Sequence, residues 1–309
     1  MPKMKVIKSI YIDSAPEKIY PIISDLNNWQ EWSPWVIAEP RAQLNVSSDG
    51  KFHEWDGDII GAGNLKIQDE VEKIASSEKL KAYNYGIAHF ESPDFRGIDT
   101  ALLYRKTLFR PTHQKVYALE LVDHKTGVKR TTRDILVVSG SLNQHHITVL
   151  VNHWPSRRGG KMRSAPQRFK AAQLHRRITD SVARKHPQSK IISMGDYNDD
   201  PKDKSIQWIM KKKEEKILHN PMLALAKKGI GSLAYNDRWH LFDQMLFSLN
   251  WYGDPSLFLL KTAVYSPAKL RTLRGRYQGY PFRTQTKGNT LEGYSDHFPV
   301  YTILGERKD

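Results

Sequence analysis

Short apolar runs alternate with polar segments along the chain, and six of these runs predict β-strands. Val, Ile, Leu, Phe and Tyr are frequent in them, as is typical of strands that pack within a core. The runs lie at residues 99–105, 134–142, 146–154, 190–197, 241–248 and 298–304.

A long helix is predicted between the third and fourth runs. Ser164 and Gln167 have the spacing of a capping box, and Pro166 suits a first helical turn. His186 and Pro187 predict its end. Its apolar face is predicted from residues at helical spacing, which are Ala171, Leu174, Ile178 and Val182. Strands with helices between them predict an α/β sandwich of two stacked mixed β-sheets flanked by helices.

Other segments predict smaller elements. Residues 5–12 predict a strand, and Ser14 with Glu17 predicts a helix start. Residues 51–67, with a Gly-rich bend, predict a hairpin. The charged run 211–216 predicts the solvated end of a helix that starts near Ser205.

The composition indicates a folded protein with a substantial core. The chain has 309 residues, of which 39% are hydrophobic and 10% aromatic. No apolar run is long enough to predict a membrane span, and the N-terminal residues lack the features of a signal peptide, so we expect a cytoplasmic protein. The absence of Cys excludes disulfides, thiolate metal sites and thiol nucleophiles.

The net charge of +15 is unevenly distributed. Residues 1–68 contain 7 Lys and Arg against 9 Asp and Glu, so the remainder carries about +17. A strongly basic region favours phosphorylated or polyanionic partners through long-range attraction. A solubilising surface charge is the equally good alternative, and composition does not choose between them.

Polar residues recur where four of the predicted strands begin or end. A single His or Asp at such a place is more often structural than catalytic, but the recurrence favours a shared site. Imidazole, carboxylate and amide groups at one place suit metal-assisted hydrolysis of a phosphate ester, in which a carboxylate activates water and an imidazolium binds the phosphate. The residues are Asn152, His153, Asp196, Asn198, Asp243, Asp296 and His297.

Three motifs in order, "NHWPSRRGG", "GDYNDDP" and "SDHFP", resemble those of the endonuclease/exonuclease/phosphatase family, which has the deoxyribonuclease-I-like fold. The resemblance covers about residues 69–305. It implies a divalent-metal-dependent hydrolase of phosphate esters that uses Mg²⁺ or Mn²⁺. The implied catalytic residues are His153, Asp196, Asn198, Asp243 and His297. The implied substrate-binding residues are Asn152, Arg157, Arg158, Arg96 and Tyr104. The implied metal ligands are Glu70, in the motif "QDEVEK", and Asp296.

Residues 4–68 resemble the front part of a START-like (SRPBCC) domain. The matching stretches are "IDSAPEKIYPIISDLNNWQEWSPW" and "WDGDIIGAGNLKI". We therefore expect an N-terminal β-α-β-β fragment over residues 1–68, followed over residues 69–309 by a phosphoesterase-like domain that lacks its usual first strands. The family's opening Asn motif is absent, so activity is expected to be impaired.

Three functions remain open at this point. The leading one is a phosphodiesterase or nuclease that cleaves by metal-assisted attack of water. The alternatives are a non-catalytic protein that binds an apolar ligand and an inactive protein that binds phosphate or nucleic acid. The substrate (DNA, RNA, a phospholipid head group or a small phosphate ester) and the oligomeric state do not follow from the sequence.

Overall fold

The computed structural model describes most of the chain from residue 70 onward and parts of the N-terminal segment. The described residues are 22, 25–31, 39, 41–48, 52–56, 58, 63–66, 70–94, 98–122, 127, 129–212, 215–286, 289–290 and 293–307. The predicted strand 5–12 and the predicted helix start at Ser14 and Glu17 lie outside this set.

Four α-helices and twenty-one short strands make up the described secondary structure. The helices are α1 (Glu70–Ala75), α2 (Lys161–Lys185), α3 (Lys204–Met210) and α4 (Met222–Lys227). The strands are β1 (Gln43–Val46), β2 (Phe52–Asp56), β3 (Gly63–Lys66), β4 (Tyr85–His89), β5 (Ala101–Arg105), β6 (Phe109–Tyr117), β7 (Leu121–Val122), β8 (Lys129–Arg130), β9 (Ile135–Leu142), β10 (His145–His153), β11 (Lys190–Asp196), β12 (Lys211–Lys212), β13 (Glu215–Lys216), β14 (Leu218–His219), β15 (Leu233–Tyr235), β16 (Arg238–His240), β17 (Asp243–Ser248), β18 (Leu257–Val264), β19 (Gln285–Thr286), β20 (Asn289–Thr290) and β21 (Val300–Glu306). Turns of 3₁₀ helix span Leu26–Glu31, Lys81–Tyr83, Leu249–Trp251 and Ala268–Leu270.

A six-stranded mixed sheet forms the centre, in the order β14-β17-β11-β10-β9-β6. Strands β10 and β11 are parallel and α2 connects them, whereas the other neighbours are antiparallel. The predicted mixed α/β architecture is thus confirmed for the central sheet. Because the strands that the sequence predicts at 146–154, 190–197 and 241–248 are direct neighbours, their ends lie side by side.

Apolar side chains cover both faces of this sheet. On one face, Leu174 and Ile178 of α2 pack with Ile206 and Ile209 of α3. On the other face, the ladders β4-β5 and β18-β21 contribute a second buried cluster. In the described part of the chain, the second layer therefore consists of separate two-stranded ladders beside the six-stranded sheet. None of the helices in the described ranges combines the length and the apolarity needed to cross a bilayer.

The start of α2 differs from the prediction. The helix begins at Lys161, with Gly160 at the N-cap, so Ser164 is not the cap. Ser164 Oγ instead donates to the Gly160 carbonyl oxygen at 2.7 Å. Gly159 and Gly160 have φ values of +80° and +105°, and this glycine turn sets the start. The predicted end at His186 is confirmed.

The charged run 211–216 was predicted wrongly as the end of a helix. Helix α3 stops at Met210, and β12 pairs with β13 in an antiparallel hairpin in which Lys212 lies opposite Glu215. The Arg176 guanidinium donates to the Trp208 and Lys211 carbonyl oxygens. These tertiary bonds satisfy carbonyls at the end of α3, so the helix need not continue.

The N-terminal hairpin is confirmed, and it is extended by one strand. Strand β2 pairs with β3, and β1, which the sequence did not predict, pairs with the other edge of β2. The three strands form an antiparallel sheet of their own.

Candidate active site

The candidate site forms where β10, β11 and β17 meet. In the register of the sheet, His153 lies beside Asp196, and Asp196 lies beside Asp243. His153 and Asp196 end parallel strands, and Asp243 begins the antiparallel neighbour, so all three reach one edge of the sheet. The His153 Nε2 atom lies 3.6 Å from Asp196 Oδ2.

His297 completes the cluster from the loop before β21. Its Nδ1 donates to Asp243 Oδ2 at 2.7 Å, and Ser232 Oγ donates to the same oxygen at 2.5 Å. Asp196, Asp243 and His297 each offer a potential ligand atom, and these atoms lie within 4.8 Å of one another. Four chain segments, which are far apart in sequence, thus supply one cluster of titratable groups.

Asn198 holds the Asp196 carboxylate. Its backbone N–H donates to Asp196 Oδ1 at 2.8 Å, and its side-chain amide donates to Asp196 Oδ2 at 3.2 Å and to the Trp154 carbonyl oxygen at 3.0 Å. Asn198 has a φ of +52°, a left-handed conformation that Asn tolerates better than most residues. The turn after β11 therefore aims both the backbone and the amide of Asn198 at Asp196.

Gly195 permits the close approach of β10 and β11. Its φ is +130°, and a Cβ atom there would lie 1.9 Å from the Asn152 carbonyl oxygen. A side chain at this position would push β11 away from β10 and displace Asp196.

The pKa values of Asp196 and His297 are both raised. Burial raises the pKa of Asp196, and the charge of Asp243 adds to it, to about 6, although His297, the Asn198 N–H and Arg133 act in the opposite direction. Burial disfavours the charged form of His297, but the hydrogen bond and charge of Asp243, with Asp196 and Asp296, outweigh it and raise the pKa to about 9. At neutral pH the cluster therefore combines an imidazolium with a carboxylate that readily takes up a proton.

Asn152 lies beneath the site, inside the core. It is 2% exposed. Its amide donates to Ser193 Oγ at 3.0 Å, and its Oδ1 accepts from Trp154 Nε1 at 3.1 Å. Ser193 also contacts the buried His175 at 2.6 Å. The side chain of Asn152 is thus occupied by neighbours in the core.

Arg157 faces acidic residues. Its Nη2 lies 2.7 Å from Asp203 and 3.3 Å from both Asp199 and Asp200, and the guanidinium stacks over Phe242 at 4.2 Å. Arg158, which follows it, is exposed.

Of the other predicted residues, Tyr104 and Asp296 lie within the described residues, whereas Glu70 and Arg96 fall partly or wholly outside them. Tyr104 packs edge-on against Phe109 at 5.6 Å. Asp296 is exposed and reaches the cluster through its charge on His297. Glu70 is the first residue of α1, but its side chain lies outside the described residues, as does all of Arg96.

Two residues at the site were missed by sequence reasoning. Ser232 supports Asp243, and nothing in its local sequence signals this role. Arg133 is buried, pairs with Asp94 at 3.1 Å and donates to the Trp154 carbonyl oxygen at 2.9 Å. Its charge also acts on Asp196. The family-like stretch "RTTRDILVVSG" contains Arg133, so that motif was the signal that could have revealed it.

Comparison with known proteins identifies the class. The profile of the Endonuclease/Exonuclease/phosphatase family matches residues 46–306, so the chain belongs to this family. The match overlaps residues 46–68 of the stretch that resembles a START-like domain, and that resemblance stays a prediction. No functionally curated protein matched the sequence.

Several solved structures resemble the chain at low sequence identity. The human Nocturnin catalytic domain with bound sulfate is 13% identical, with a TM-score of 0.50 over 77% of this chain and 79% of that one. TDP2 from D. rerio in complex with a single-strand DNA product is 13% identical, with a TM-score of 0.47 over 74% and 79%. A mannosyl-6-phosphatase from Bacteroides thetaiotaomicron is 15% identical, with a TM-score of 0.46 over 72% and 77%. At these identities the similarity concerns the fold alone.

Proposed function

We propose that the protein is a divalent-metal-dependent phosphodiesterase that cleaves its substrate by attack of an activated water. The observation that carries this proposal is the convergence of Asp196, Asp243 and His297 at the edge of the central sheet. Membership of the family makes a phosphate ester the substrate class, and the basic charge of the chain favours a polyanionic one.

Asp196 is the proposed base. A carboxylate with a pKa of about 6 can accept a proton from water near neutral pH, and general base catalysis is strongest when the pKa lies close to the working pH. Asn198 fixes both oxygens of this carboxylate, so it sets the position from which Asp196 takes the proton of the attacking water. In this role Asn198 orients Asp196 toward the water and contacts the water with its own side-chain amide.

His297 is the proposed phosphate-binding group. The hydrogen bond to Asp243 keeps the imidazole protonated, and Nε2–H is then the donor left to a phosphoryl oxygen. Ser232 fixes Asp243 in turn. His153, 3.6 Å from Asp196, is placed to hold the phosphate or to protonate the leaving oxygen.

The donor set fits a divalent cation. Asp196 and Asp243 supply carboxylate oxygens within 4.8 Å of each other, and carboxylate oxygens are the ligands that a hard divalent cation prefers. When bound, such an ion would neutralise charge on the phosphoryl oxygens. Mg²⁺ and Mn²⁺ are both candidates, because the donors are carboxylate oxygens. Glu70 and Asp296 remain predicted additional ligands.

Hydrolysis of bis(p-nitrophenyl) phosphate tests the proposal. We expect turnover with Mg²⁺ or Mn²⁺, loss of turnover with EDTA, and recovery when the metal is added back. Binding of phosphate without turnover under any metal would instead support the inactive alternative. Saturable binding of an apolar fluorescent ligand, together with no hydrolysis, would support the START-like alternative.

A further inference from the structure

An aromatic and basic surface adjoins the candidate active site. We name it the aromatic platform and define it by Trp239, Tyr277, Tyr280, Arg276 and Arg283. It is formed by β16 and by the segment between β18 and β19. None of these residues takes part in the hydrolytic cluster.

Trp239 connects the platform to the site. Its ring stacks on Phe298, the residue after His297, with a centroid distance of 6.1 Å and an interplanar angle of 18°. Phe298 is buried, whereas Trp239 is 40% exposed. The hairpin that carries Trp239 begins after Ser232. The hydroxyl of Ser232 donates to Asp243, and its carbonyl oxygen accepts from the Phe298 backbone N–H. The platform therefore begins next to the proposed phosphate-binding imidazole.

Further aromatic rings continue the platform outward. Tyr280 meets the edge of Trp239 at 5.5 Å, and Tyr277 lies 5.8 Å from Tyr280. Tyr277 is 50% exposed. The Tyr280 hydroxyl donates to Asp237 Oδ1 at 2.8 Å, and Arg283 donates to the Ala234 carbonyl oxygen at 3.3 Å. These bonds attach the tyrosine segment to the β15-β16 hairpin and hold the rings in place.

The surrounding charge is positive. Residues 268–284 contain five basic residues and no acidic one. Arg276 lies over the Tyr277 ring at 5.7 Å and is highly exposed. Asp237, the acid that faces the platform, is engaged by the Tyr280 hydroxyl and lies 3.7 Å from Arg276. Exposed rings interleaved with arginines match the surfaces that bind unpaired nucleotides, where bases stack and phosphates meet cations.

We propose that the platform binds a single-stranded nucleic acid, with an unpaired base stacked on Trp239 and the next on Tyr277. The direction of the strand, from the platform to His297, rests on the proposed function. Bases within a duplex are stacked on each other, so their faces are not available to these rings. A sugar phosphate would need several hydroxyl partners, and Asp237, the carboxylate that faces the platform, is already engaged.

Binding in EDTA tests the platform independently of hydrolysis. The probes are a fluorescein-labelled 12-nucleotide oligo(dT), the matching oligo(U), a 12-base-pair duplex and an abasic 12-mer, followed by fluorescence anisotropy. We expect the two single strands to bind at least about tenfold more tightly than the abasic strand, because each base stacked on an aromatic ring contributes about that factor or more. Binding of all probes should weaken as salt rises.

Substitutions on the two faces of the β15-β16 hairpin show whether binding depends on the rings of the platform. Trp239→Ala and Tyr277→Ala should each weaken oligo(dT) binding by about tenfold, and Trp239→Phe, which keeps a ring, should bind nearly as the parent does. In the β15-β16 register Tyr235 pairs with Arg238 and lies on the opposite face from Trp239. Tyr235→Ala removes an exposed ring from the same hairpin, and we expect parental binding.

Several outcomes would overturn the platform. These are equal affinity for the abasic strand, equal affinity for the duplex, or parental binding by a folded Trp239→Ala variant. A loss in Tyr235→Ala as large as that in Trp239→Ala would also overturn it. Circular dichroism and thermal unfolding check that each variant is folded. Stacking-dependent binding in EDTA, together with no hydrolysis of bis(p-nitrophenyl) phosphate when Mg²⁺ or Mn²⁺ is supplied, would reject the proposed function and keep the platform. Hydrolysis with metal but no stacking-dependent binding would reject the platform and keep the proposed function.

Discussion

The stretch "MGDYNDDP" places acidic residues in two contrasting environments within five positions. Asp196 faces the candidate site, beside a second carboxylate, and its pKa is raised to about 6. Asp199 and Asp200 lie on the far side of the turn and pair with basic side chains. Arg168 Nε lies 2.7 Å from Asp199, and His240 Nδ1 lies 2.8 Å from Asp200.

The Asp200 carboxylate shows the contrast most directly. Burial would raise its pKa, but the hydrogen bonds of His240 and of the Leu241 N–H, with the charges of His240 and Arg157, outweigh burial and hold the pKa below its usual value. Asp199 and Asp200 therefore join α2, α3 and the loop before β17. Asp196 keeps a proton affinity that is useful for chemistry and unfavourable for stability.

The largest expected effect concerns activity. Asp196→Ala and His297→Ala should each lower kcat/KM for bis(p-nitrophenyl) phosphate by about 10³-fold, since each removes a proposed acid–base or phosphate-binding group. Asp254→Asn and His145→Ala are the controls, and we expect parental activity. Asp254 pairs with Lys190, at the end of β11 opposite Asp196, and His145 is at the end of β10 opposite His153. Parental rates in both site variants, with metal present, would show that these residues are not catalytic.

The next effect concerns stability. Arg168 is fully buried and pairs with Asp199, so Arg168→Met leaves the buried carboxylate with only the longer contact to Arg157 and should cost about 3 kcal/mol in the free energy of unfolding. Lys161→Met removes an exposed partner of Asp203 and should cost less than about 1 kcal/mol. Urea unfolding measures both, and equal losses would contradict the distinction between buried and exposed pairs.

Asp243→Asn should change the charge of its partner. Without the Asp243 carboxylate, burial is opposed only by the charges of Asp196 and Asp296, and the pKa of His297 should fall from about 9 toward its ordinary value. An NMR titration of the His297 ring proton in EDTA measures the change. A pKa that stays near 9 would mean that other acids keep the imidazole protonated.

The smallest effect is a difference in sign between two Asp→Asn variants. The raised pKa of Asp196 means that its contribution to stability is lost as pH rises from about 4 through 6. The lowered pKa of Asp200 means that its contribution to stability is present above about pH 4 and lost below it. At pH 7 in EDTA, Asp196→Asn should therefore stabilise the folded protein and Asp200→Asn should destabilise it. Shifts of the same sign in thermal unfolding would contradict the comparison.

Local pattern was enough for four strands of the central sheet (β9, β10, β11 and β17) and for the end of α2, but not for β6, β14, the start of α2 or the end of α3. The predicted runs 134–142 and 190–197 agree with β9 and β11 to within one residue. The end of α3 was predicted wrongly because Arg176, distant in sequence, binds its last carbonyls. The start of α2 was predicted wrongly because a glycine turn replaced the side-chain cap.

Sequence also identified most of the cluster but not the contacts of each member. Arg157 is an example, since its position after "NHWPS" suggested a phosphate grip, whereas the structure gives it three aspartates. Ser232 carried no local signal at all.

By itself, the sequence determined four of the six strands of the central sheet, and it showed that acids, amides and imidazoles stand at the ends of predicted strands, because apolar runs bounded by polar residues mark which segments are buried and where they stop. Only the tertiary structure decided which of these carboxylates pair with a basic side chain. That outcome depends on the side chains of Arg157, Arg168 and His240, which come from the loop before α2, from α2 and from β16. Their reach to the turn after β11 is set by packing rather than by local sequence.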